Sequence, residues 1–333
     1  MFRNHLCLGF EGLDMNPELK DFLTHFRPRS LIVFSRNWDS PEQFKNLVVQ
    51  IRALYKRNKL KNPFIAVDQE GGEVQRFRSG FMDFPSFFEL GQKYENDGDI
   101  DYIYNLSKKK GLMLKNLGID INFSPVLDVA RNKKNPIIYK TKRSFSKMEN
   151  VVALLALSYS KGLIDAGVLP CGKHFPGHGG TDKDSHLELP VVLDYPEKMF
   201  LDLLPFAAFI NHGFKMLMSS HVLYKSIDSQ NPATLSKVIN KGLLRDVLGF
   251  KGVLVSDDLC MKALYSRALA KKNDVNNLFF DALEAGNDMV LVCHQEYIEK
   301  LDLDYLEKNI GGKFKKSQQR IEDLGNQFSD SGF

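Results

Sequence analysis

The chain has 333 residues, of which 43% are hydrophobic and 26% are charged, and its 45 basic and 41 acidic side chains give a net charge of +4. This length is ample for a large buried core, and the composition is ordinary for a globular enzyme. The basic runs are short and lack repeated aromatic side chains, so the charge pattern argues against a nucleic-acid partner.

The cysteines and the hydropathy pattern indicate an intracellular protein. The four cysteines are scattered, none of them forms a C-x-x-C pair, and three lie in apolar strand-like runs, as small buried residues do. The first residues contain no long apolar segment with a small-residue cleavage site, and no run approaches about eighteen apolar residues. We therefore expect a cytoplasmic location, no disulfide framework and no membrane contact.

Short, β-rich apolar runs alternate along the chain with longer stretches of helical periodicity. The predicted strands cover residues 6–10, 31–35, 64–69, 119–125, 169–175, 216–222, 252–257 and 288–293. The predicted helices cover residues 41–55, 100–117, 150–166, 196–211, 236–247 and 261–285. Glycine follows several of these helices, which is the preferred residue at a helix C-terminus.

This alternation predicts an α/β fold, a single-domain (β/α)8 barrel of the TIM type. The rival architecture is a doubly wound open sheet, which usually has a switch point and a glycine-rich nucleotide turn, and neither is evident here. We expect the catalytic barrel to span residues 1–310, and residues 311–333 to form a terminal helix and a polar tail.

Polar side chains recur where the predicted strands end. They are Asp68, Gln69 and Glu70 at the end of the third strand, Asp128 after the fourth, Lys173 and His174 at the end of the fifth, His221 at the end of the sixth, and Asp257 and Asp258 at the end of the seventh. In a barrel of this type the carboxyl ends of the strands meet at one face, where the active-site loops lie. The sequence therefore predicts that these distant residues become neighbours at that face.

The stretch from residue 173 to 186 reads KHFPGHGGTDKDSH, and it contains three histidines, two aspartates and three glycines. Pro176 and Gly177 make a regular helix or a central strand improbable there, so we expect an irregular loop. Asp184 lies two residues before His186, where a carboxylate can orient the imidazole and raise its basicity. We expect this loop to close over a substrate before reaction.

Two chemistries fit such a set of histidines and aspartates. In the first, a carboxylate attacks the anomeric carbon of a sugar while a proton donor assists the leaving oxygen. In the second, a metal held by histidines and an aspartate activates water. The metal ligands would be His174, His178, His186, His221 and Asp257. The second is disfavoured, because Pro176 and Gly177 interrupt the helix that a zinc-binding pair at positions 174 and 178 would need.

Several motifs resemble, in order, those of family 3 glycoside hydrolases. They are AVDQEGGEVQRF (residues 66–77), FSPVLDV (123–129), RSF (143–145), GKHFPGHG (172–179), DSH (184–186) and GVLVSDDLCM (252–261). More narrowly, they are similar to the cytoplasmic β-N-acetylglucosaminidases (β-hexosaminidases) of bacterial peptidoglycan recycling. The matching motifs extend from about residue 31 to residue 293.

The resemblance implies a retaining exo-β-N-acetylglucosaminidase that needs no metal or other cofactor. Asp257 corresponds to the nucleophile, His186 to the general acid/base, and Asp184 to the residue that orients His186. The positions that hydrogen-bond the sugar correspond to Asp68, Arg76, Arg143, Lys173 and His174. The implied substrates are small carbohydrates, namely N-acetylglucosaminyl-anhydro-N-acetylmuramyl peptides or chitooligosaccharides, and we expect a monomer.

Other functions remain open on the sequence alone. A phosphorylase would use phosphate in place of water, since a neutral histidine does not repel an anionic acceptor as a carboxylate would. A catalytically silent sugar sensor and a metal-dependent hydrolase are further alternatives. The stretch 135–143 is about two residues longer than the family pattern, which leaves the placement of Arg143 less secure, and Lys262 stands where a smaller or acidic residue is commoner.

Overall fold

The computed structural model describes residues 2–193, 196–264 and 274–330. Parallel strands, separated by helices, succeed one another in chain order. The strands are β1 (Leu6–Leu8), β2 (Ser30–Val33), β3 (Phe64–Val67), β4 (Gln69–Gly71), β5 (Val74–Gln75), β6 (Ile121–Asn122), β7 (Leu169–Pro170), β8 (Gly172–Phe175), β9 (Val191–Val192), β10 (Met216–Ser219), β11 (Leu223–Tyr224), β12 (Val253–Ser256) and β13 (Val290–Val292).

The pairing of these strands forms a ring. Strand β1 pairs with β2 and β13, β2 pairs with β3, β3 with β6, and β6 with β7, all in parallel. Strand β8 continues β7 after Cys171 and pairs with β10, which pairs with β12. A parallel bridge between Val255 and Met289 joins β12 to the start of β13. The predicted α/β barrel is therefore confirmed, with strands shorter than the sequence predicts.

Most of the helices connect successive strands around this ring, and the last three follow β13. They are α1 (Pro17–Phe26), α2 (Pro41–Arg57), α3 (Phe87–Asp97), α4 (Ile100–Asn116), α5 (Glu149–Asp165), α6 (Pro196–Asn211), α7 (Val238–Val247), α8 (Val275–Ala285), α9 (Gln295–Ile298), α10 (Leu303–Ile310) and α11 (Lys315–Asp330). Helix α7 is wound as a π-helix. Part of the predicted helix 261–285, residues 265–273, lies outside the described residues.

The barrel strands are buried on both faces, as parallel strands covered by helices are. Their inward side chains pack with Ile321 and Leu324 of α11 in one apolar cluster. Helix α11 therefore closes one end of the barrel and leaves the carboxyl ends of the strands free for a site. In the described ranges, no helix has the length and apolar character needed to cross a membrane.

Candidate active site

A cavity of 630 Å³ opens at the carboxyl ends of the barrel strands. It brings together side chains as far apart in the chain as Ile32 and Tyr297, as the strand-end pattern predicts. The predicted site residues that line it are Asp68, Arg76, Arg143, Lys173, His174, His186 and Asp257. The eighth, Asp184, is hydrogen-bonded to His186 at the rim.

One wall of the cavity is a cluster of ion pairs centred on Lys173. Its Nζ lies 2.7 Å from Asp68 Oδ1 and 2.6 Å from Glu70 Oε1, and the side chain is 3% exposed. The other Asp68 oxygen, Oδ2, accepts a 3.3 Å hydrogen bond from Arg76 Nη2. Burial favours the neutral acid, but Lys173 and Arg76 outweigh it and lower the pKa of Asp68. The wall therefore presents fixed charges at which sugar hydroxyls can bind.

Glu70 forms ion pairs with two cations of this wall, Lys173 and Arg143, and it was not predicted as a site residue. Its carboxylate accepts two hydrogen bonds from Arg143, at 2.9 Å from Nε and 2.7 Å from Nη2, in the bidentate geometry typical of strong pairs. Burial opposes ionisation, yet Arg143 and Lys173 hold the pKa of Glu70 far below its usual value. Arg143 thus lies at the cavity despite the longer stretch that precedes it.

Asp128 is a second residue that the site prediction omitted. It is fully buried, and its Oδ2 accepts a 2.6 Å hydrogen bond from His174 Nδ1. This contact leaves Nε2 of His174 pointing towards Arg143, whose Nη2 lies 3.4 Å away. Asp128 Oδ1 accepts from the backbone N–H groups of His174 and His178. Its position after the fourth predicted strand was the sequence signal that could have identified it.

Asp257 comes directly after β12 and faces the cavity. Burial would raise its pKa, but the neighbouring imidazoles of His221 and His174 outweigh burial and lower that pKa to about 2. Asp257 is therefore a carboxylate at neutral pH. Asp258 has a different environment, because its Oδ1 accepts hydrogen bonds from the N–H groups of Cys260 and Cys293.

The loop that carries the Asp184–His186 pair lies at the rim of the cavity. Asp184 Oδ1 accepts 2.8 Å hydrogen bonds from both the backbone N–H and the ring Nδ1 of His186. The His186 side chain is 61% exposed. His186 and Asp257 line the same cavity. Among the residues that the structure describes, the ring's Nε2 has no hydrogen-bond partner, so this nitrogen can transfer a proton.

Two further histidines are buried and have both ring nitrogens occupied. His221 contacts Thr234 Oγ1 through Nδ1 and the carbonyl oxygen of Asp258 through Nε2, each at 2.8 Å. His178 contacts Thr181 Oγ1 through Nδ1 at 3.0 Å and Ser185 Oγ through Nε2 at 3.2 Å. Burial lowers the pKa of both rings, so each is neutral at neutral pH. Within the described ranges, no group of three or more potential ligand side chains is arranged to hold a metal ion.

Chemically, the cavity combines an ionised carboxylate at its floor with an exposed histidine–aspartate pair at its rim. A carboxylate and a proton donor on either side of a scissile bond are the groups that glycoside hydrolysis requires. The charged wall between them offers donors and acceptors in fixed directions. The arrangement suits a polyhydroxylated substrate.

Comparison with known proteins supports this interpretation. Residues 7–325 match the model of the glycosyl hydrolase family 3 N-terminal domain. A beta-hexosaminidase of Thioalkalivibrio sulfidiphilus is 39% identical over 299 residues, which are 87% of this chain and 80% of that protein.

Two solved structures resemble this one closely. A family 3 beta-N-acetylglucosaminidase from Paenibacillus superposes with a TM-score of 0.90 at 33% identity, covering 98% of this chain. This chain spans 62% of that longer protein. NagZ from Neisseria gonorrhoeae, solved in complex with N-trifluoroacetyl-D-glucosamine, superposes with a TM-score of 0.82 at 33% identity, covering 96% of this chain and 89% of its own.

Proposed function

The chain belongs to glycosyl hydrolase family 3 as a β-N-acetylhexosaminidase, and we propose that it is a retaining exo-enzyme in which Asp257 forms a covalent bond to the sugar. The observation that carries this proposal is the geometry of one cavity. An ionised aspartate at the end of β12 and a histidine–aspartate pair at the rim face the same space. The enzyme would remove a terminal N-acetylglucosamine from the non-reducing end of its substrate.

The first step transfers the sugar to the enzyme. The Asp257 carboxylate attacks the anomeric carbon as the bond to the leaving oxygen breaks, and His186 donates a proton from Nε2 to that oxygen. Asp184 accepts the hydrogen bond from Nδ1–H and stabilises the imidazolium form of His186 before the transfer. Histidine is the side chain best suited to exchange a proton near neutral pH.

The second step releases the sugar. His186, now neutral, removes a proton from water; the water oxygen attacks the anomeric carbon, and the bond to Asp257 breaks. Two inversions at the same carbon give a β-configured product, which is the definition of retention. Both steps balance with water as the sole co-reactant.

The charged wall would bind the sugar that is transferred. Lys173, Arg143 and Arg76 supply donors, Asp68 supplies acceptors, and Nε2 of His174 is directed to the same space by Asp128. The solved Neisseria relative carries an N-acylated glucosamine, which supports N-acetylglucosamine as the sugar in this position. Because the partners are ionised, these hydrogen bonds are among the stronger ones available to a hydroxyl group.

We further propose that the natural substrates are N-acetylglucosaminyl-anhydro-N-acetylmuramyl peptides and that the protein acts as a monomer in the cytoplasm. The four cysteines are buried free thiols, which suits a reducing compartment. The proposed substrate is tested by comparing kcat/KM for the N-acetylglucosaminyl-anhydro-N-acetylmuramyl disaccharide with kcat/KM for a chitooligosaccharide of the same length. A clear preference for the chitooligosaccharide would contradict this part of the proposal.

The direct test of the activity is release of the chromophore from an aryl β-N-acetylglucosaminide at neutral pH with chelator present. We expect turnover with free N-acetylglucosamine as the product and slower cleavage of the matched aryl β-glucoside. The same assay in phosphate buffer, with identification of the sugar product, distinguishes a hydrolase from a phosphorylase. N-acetylglucosamine 1-phosphate as the main product would identify a phosphorylase, and folded protein that binds the sugar without turnover would identify a sensor.

A further inference from the structure

We infer that His178 is a positioning residue for the acid/base, and that it acts through Ser185, the residue between Asp184 and His186. This inference rests on the proposed role of His186 as the group that protonates the leaving oxygen. The structure shows a continuous set of buried hydrogen bonds from the barrel to Ser185. His178 is the member of that set that touches the acid/base segment.

The contact itself joins two buried side chains. His178 and Ser185 are each 1% exposed, and Nε2 of His178 lies 3.2 Å from Ser185 Oγ. The other ring nitrogen, Nδ1, lies 3.0 Å from Thr181 Oγ1. The backbone N–H of His178 donates to Asp128 Oδ1 at 2.6 Å. The ring is thus fixed at both nitrogens and at its own backbone.

Asn135 supports this ring from the neighbouring loop. Its Nδ2 donates to the carbonyl oxygen of His178 at 2.8 Å and to Thr181 Oγ1 at 3.0 Å. Its Oδ1 accepts from the N–H groups of Ile137 and Ile138, at 3.0 and 2.7 Å. All the hydrogen-bonding capacity of this fully buried amide is therefore used. A satisfied buried network of this kind holds its members in one arrangement.

Two backbone contacts fix the loop from other sides. The Ala263 N–H donates to the Ser185 carbonyl oxygen at 3.2 Å, which ties the loop to the segment after Asp257. A Cβ on Gly179 would lie 1.8 Å from the carbonyl oxygen of Val129, so the loop approaches the barrel closely there. The proposed catalytic pair thus flanks a residue that is held in place, with half-buried Asp184 before buried Ser185 and exposed His186 after it.

His178 is unsuited to be the acid/base itself. Both of its ring nitrogens are occupied within the loop, and burial together with nearby His174 lowers its pKa to about 4. Its contribution is therefore geometric. Displacing a reacting group by about 1 Å can cost a hundredfold in rate, so a contact that fixes Ser185 can be worth much more in catalysis than in stability.

The test uses substrates with two leaving groups. A phenyl β-N-acetylglucosaminide needs protonation of its leaving oxygen, whereas the 2,4-dinitrophenyl glycoside does not, and kcat/KM reports the step that includes this protonation. The variants are Ser185→Ala, which removes one oxygen, His178→Ala, the double variant, and His178→Gln, which keeps a polar group near the Nε2 position. Lys183→Ala is the matched control, since it breaks only the exposed ion pair of this loop with Glu188.

We expect Ser185→Ala and His178→Ala to lower kcat/KM for the phenyl glycoside about tenfold and for the dinitrophenyl glycoside less than about twofold. The double variant should be no worse than His178→Ala, because both changes remove the same contact. His178→Gln should recover part of the loss. Lys183→Ala should leave both rates unchanged, and the inhibition constant of N-acetylglucosamine should stay constant throughout.

The opposing outcomes separate this inference from the proposed function. Equal losses on both glycosides, or a weakened inhibition constant, would mean that His178 supports folding or contacts the sugar, and would overturn the inference. His186→Ala serves as the reference. If His186→Ala loses more kcat/KM on the phenyl glycoside than on the dinitrophenyl glycoside and Ser185→Ala does not, only the positioning role of His178 fails. If His186→Ala loses equally on both glycosides, the proposed acid/base assignment fails.

Discussion

Two adjacent aspartates at the end of β12 have different surroundings, and the difference decides their roles. Nearby histidines lower the pKa of Asp257 to about 2, whereas burial and the neighbouring Asp257 raise the pKa of Asp258. The Asp258 carboxylate also accepts two backbone N–H groups. Asp257 therefore suits the proposed role of nucleophile, whereas Asp258, which also lines the cavity, holds the backbone of the segments that follow β12 and β13.

The matched substitutions Asp257→Asn and Asp258→Asn test this division. We expect Asp257→Asn to reduce kcat for an aryl β-N-acetylglucosaminide by about 10³-fold or more, because an amide cannot act as the nucleophile. Asp258→Asn should keep most of the activity, since its amide oxygen can still accept both N–H groups. Comparable rates in wild type and Asp257→Asn would refute the nucleophile assignment.

A buried lysine beneath the cavity makes the stability depend on pH. Lys110 donates to the carbonyl oxygen of Glu70 at 2.5 Å and to Tyr159 Oη at 2.9 Å. Burial lowers its pKa from 10.5 to about 7, although Glu70 acts in the opposite direction. Between about pH 7 and 10.5 the unfolded chain therefore binds a proton that the folded chain does not, so this group adds stability as the pH rises through that window.

Comparison of wild type with Lys110→Met isolates this effect. We expect the free energy of unfolding of wild type, relative to the variant, to be greater at pH 9 than at pH 7. Urea unfolding at the two pH values measures the free energy of unfolding of each protein. Subtracting the value of Lys110→Met from that of wild type removes the contribution of the other titrating groups, which both proteins share. A constant difference would show that Lys110 titrates alike in the folded and unfolded chains.

At the scale of elements, the β4–β5 hairpin positions much of the charged wall. Gln69 is buried, and its Oε1 accepts the backbone N–H groups of Arg76 and Phe77, at 2.8 and 3.1 Å. Gly71 has a φ of +128°, and a Cβ there would lie 2.2 Å from the carbonyl oxygen of Pro85. The hairpin thereby directs Arg76 and Glu70 into the same cluster.

Glu70→Gln tests how far the hairpin organises the site. Removing this charge takes away the buried carboxylate that Arg143 pairs with and leaves Lys173 paired with Asp68 alone, which costs on the order of 3 kcal/mol in the free energy of unfolding. We expect KM for the aryl glycoside to rise as well, because the Arg143 side chain loses its fixed position. Urea unfolding and steady-state kinetics provide the measurements. Glu73→Gln, in the exposed turn of the same hairpin, is the control and should match wild type; unchanged KM and stability in Glu70→Gln would contradict the account.

The same hairpin marks a limit of the sequence prediction. Strand β3 ends at Val67, two residues before the predicted end, because Gln69 turns back to pair with Gln75. The role of Glu70 depends on Arg143 and Lys173, which come from remote segments, so no local pattern could reveal it. The proposed acid/base pair was different, since Asp184 and His186 are close in sequence and their hydrogen bond is a consequence of that spacing.

Helices α1 and α3 were missed although their starting signals were present. Helix α1 begins at Pro17 after Asn16, whose side chain caps it, but the residue that follows its end at Phe26 is Arg27 in a left-handed conformation and not a glycine. Helix α3 begins with a capping box formed by Ser86 and Glu89. Both helices are short, so their apolar periodicity extends over too few turns to support the capping signals.

For the whole molecule, α11 completes the core of the barrel. Ile321 is fully buried and Leu324 nearly so, and both pack against strand residues inside the barrel. Arg320 donates to Asp288 Oδ1, while Arg245 donates to Oδ2 of the same buried carboxylate. The predicted boundary at residue 310 stays a prediction, and these contacts indicate that the barrel depends on helix α11 for its stability.

Ile321→Ala measures that dependence. We expect a loss of about 2–4 kcal/mol in the free energy of unfolding, because the truncated side chain leaves a cavity at the closed end of the barrel. Gln319→Ala, on the exposed face of the same helix, should change stability by less than about 0.5 kcal/mol. A chain ending at residue 310 should fail to fold cooperatively; a cooperative thermal transition like that of the full chain would show that the barrel is independent of α11.

The overall architecture was the feature that the sequence predicted best. Alternating apolar runs and helical periodicity suffice for a barrel, because each parallel strand is buried on both faces and needs a helix to return. Polar residues at the strand ends then located the site. The pattern could not predict the buried contacts of Asn135 and His178, since these contacts depend on how two long loops pack together.

Detection of the covalent intermediate tests the central claim most directly. The protein is incubated with an activated fluorinated β-N-acetylglucosaminyl fluoride, which forms the intermediate faster than water can release it, and the intact mass and peptide masses are then measured. We predict the addition of one sugar per chain, on the peptide that contains Asp257, and no addition in Asp257→Asn. Attachment to another carboxylate, or turnover that gives the α-anomer without any adduct, would contradict the proposed mechanism.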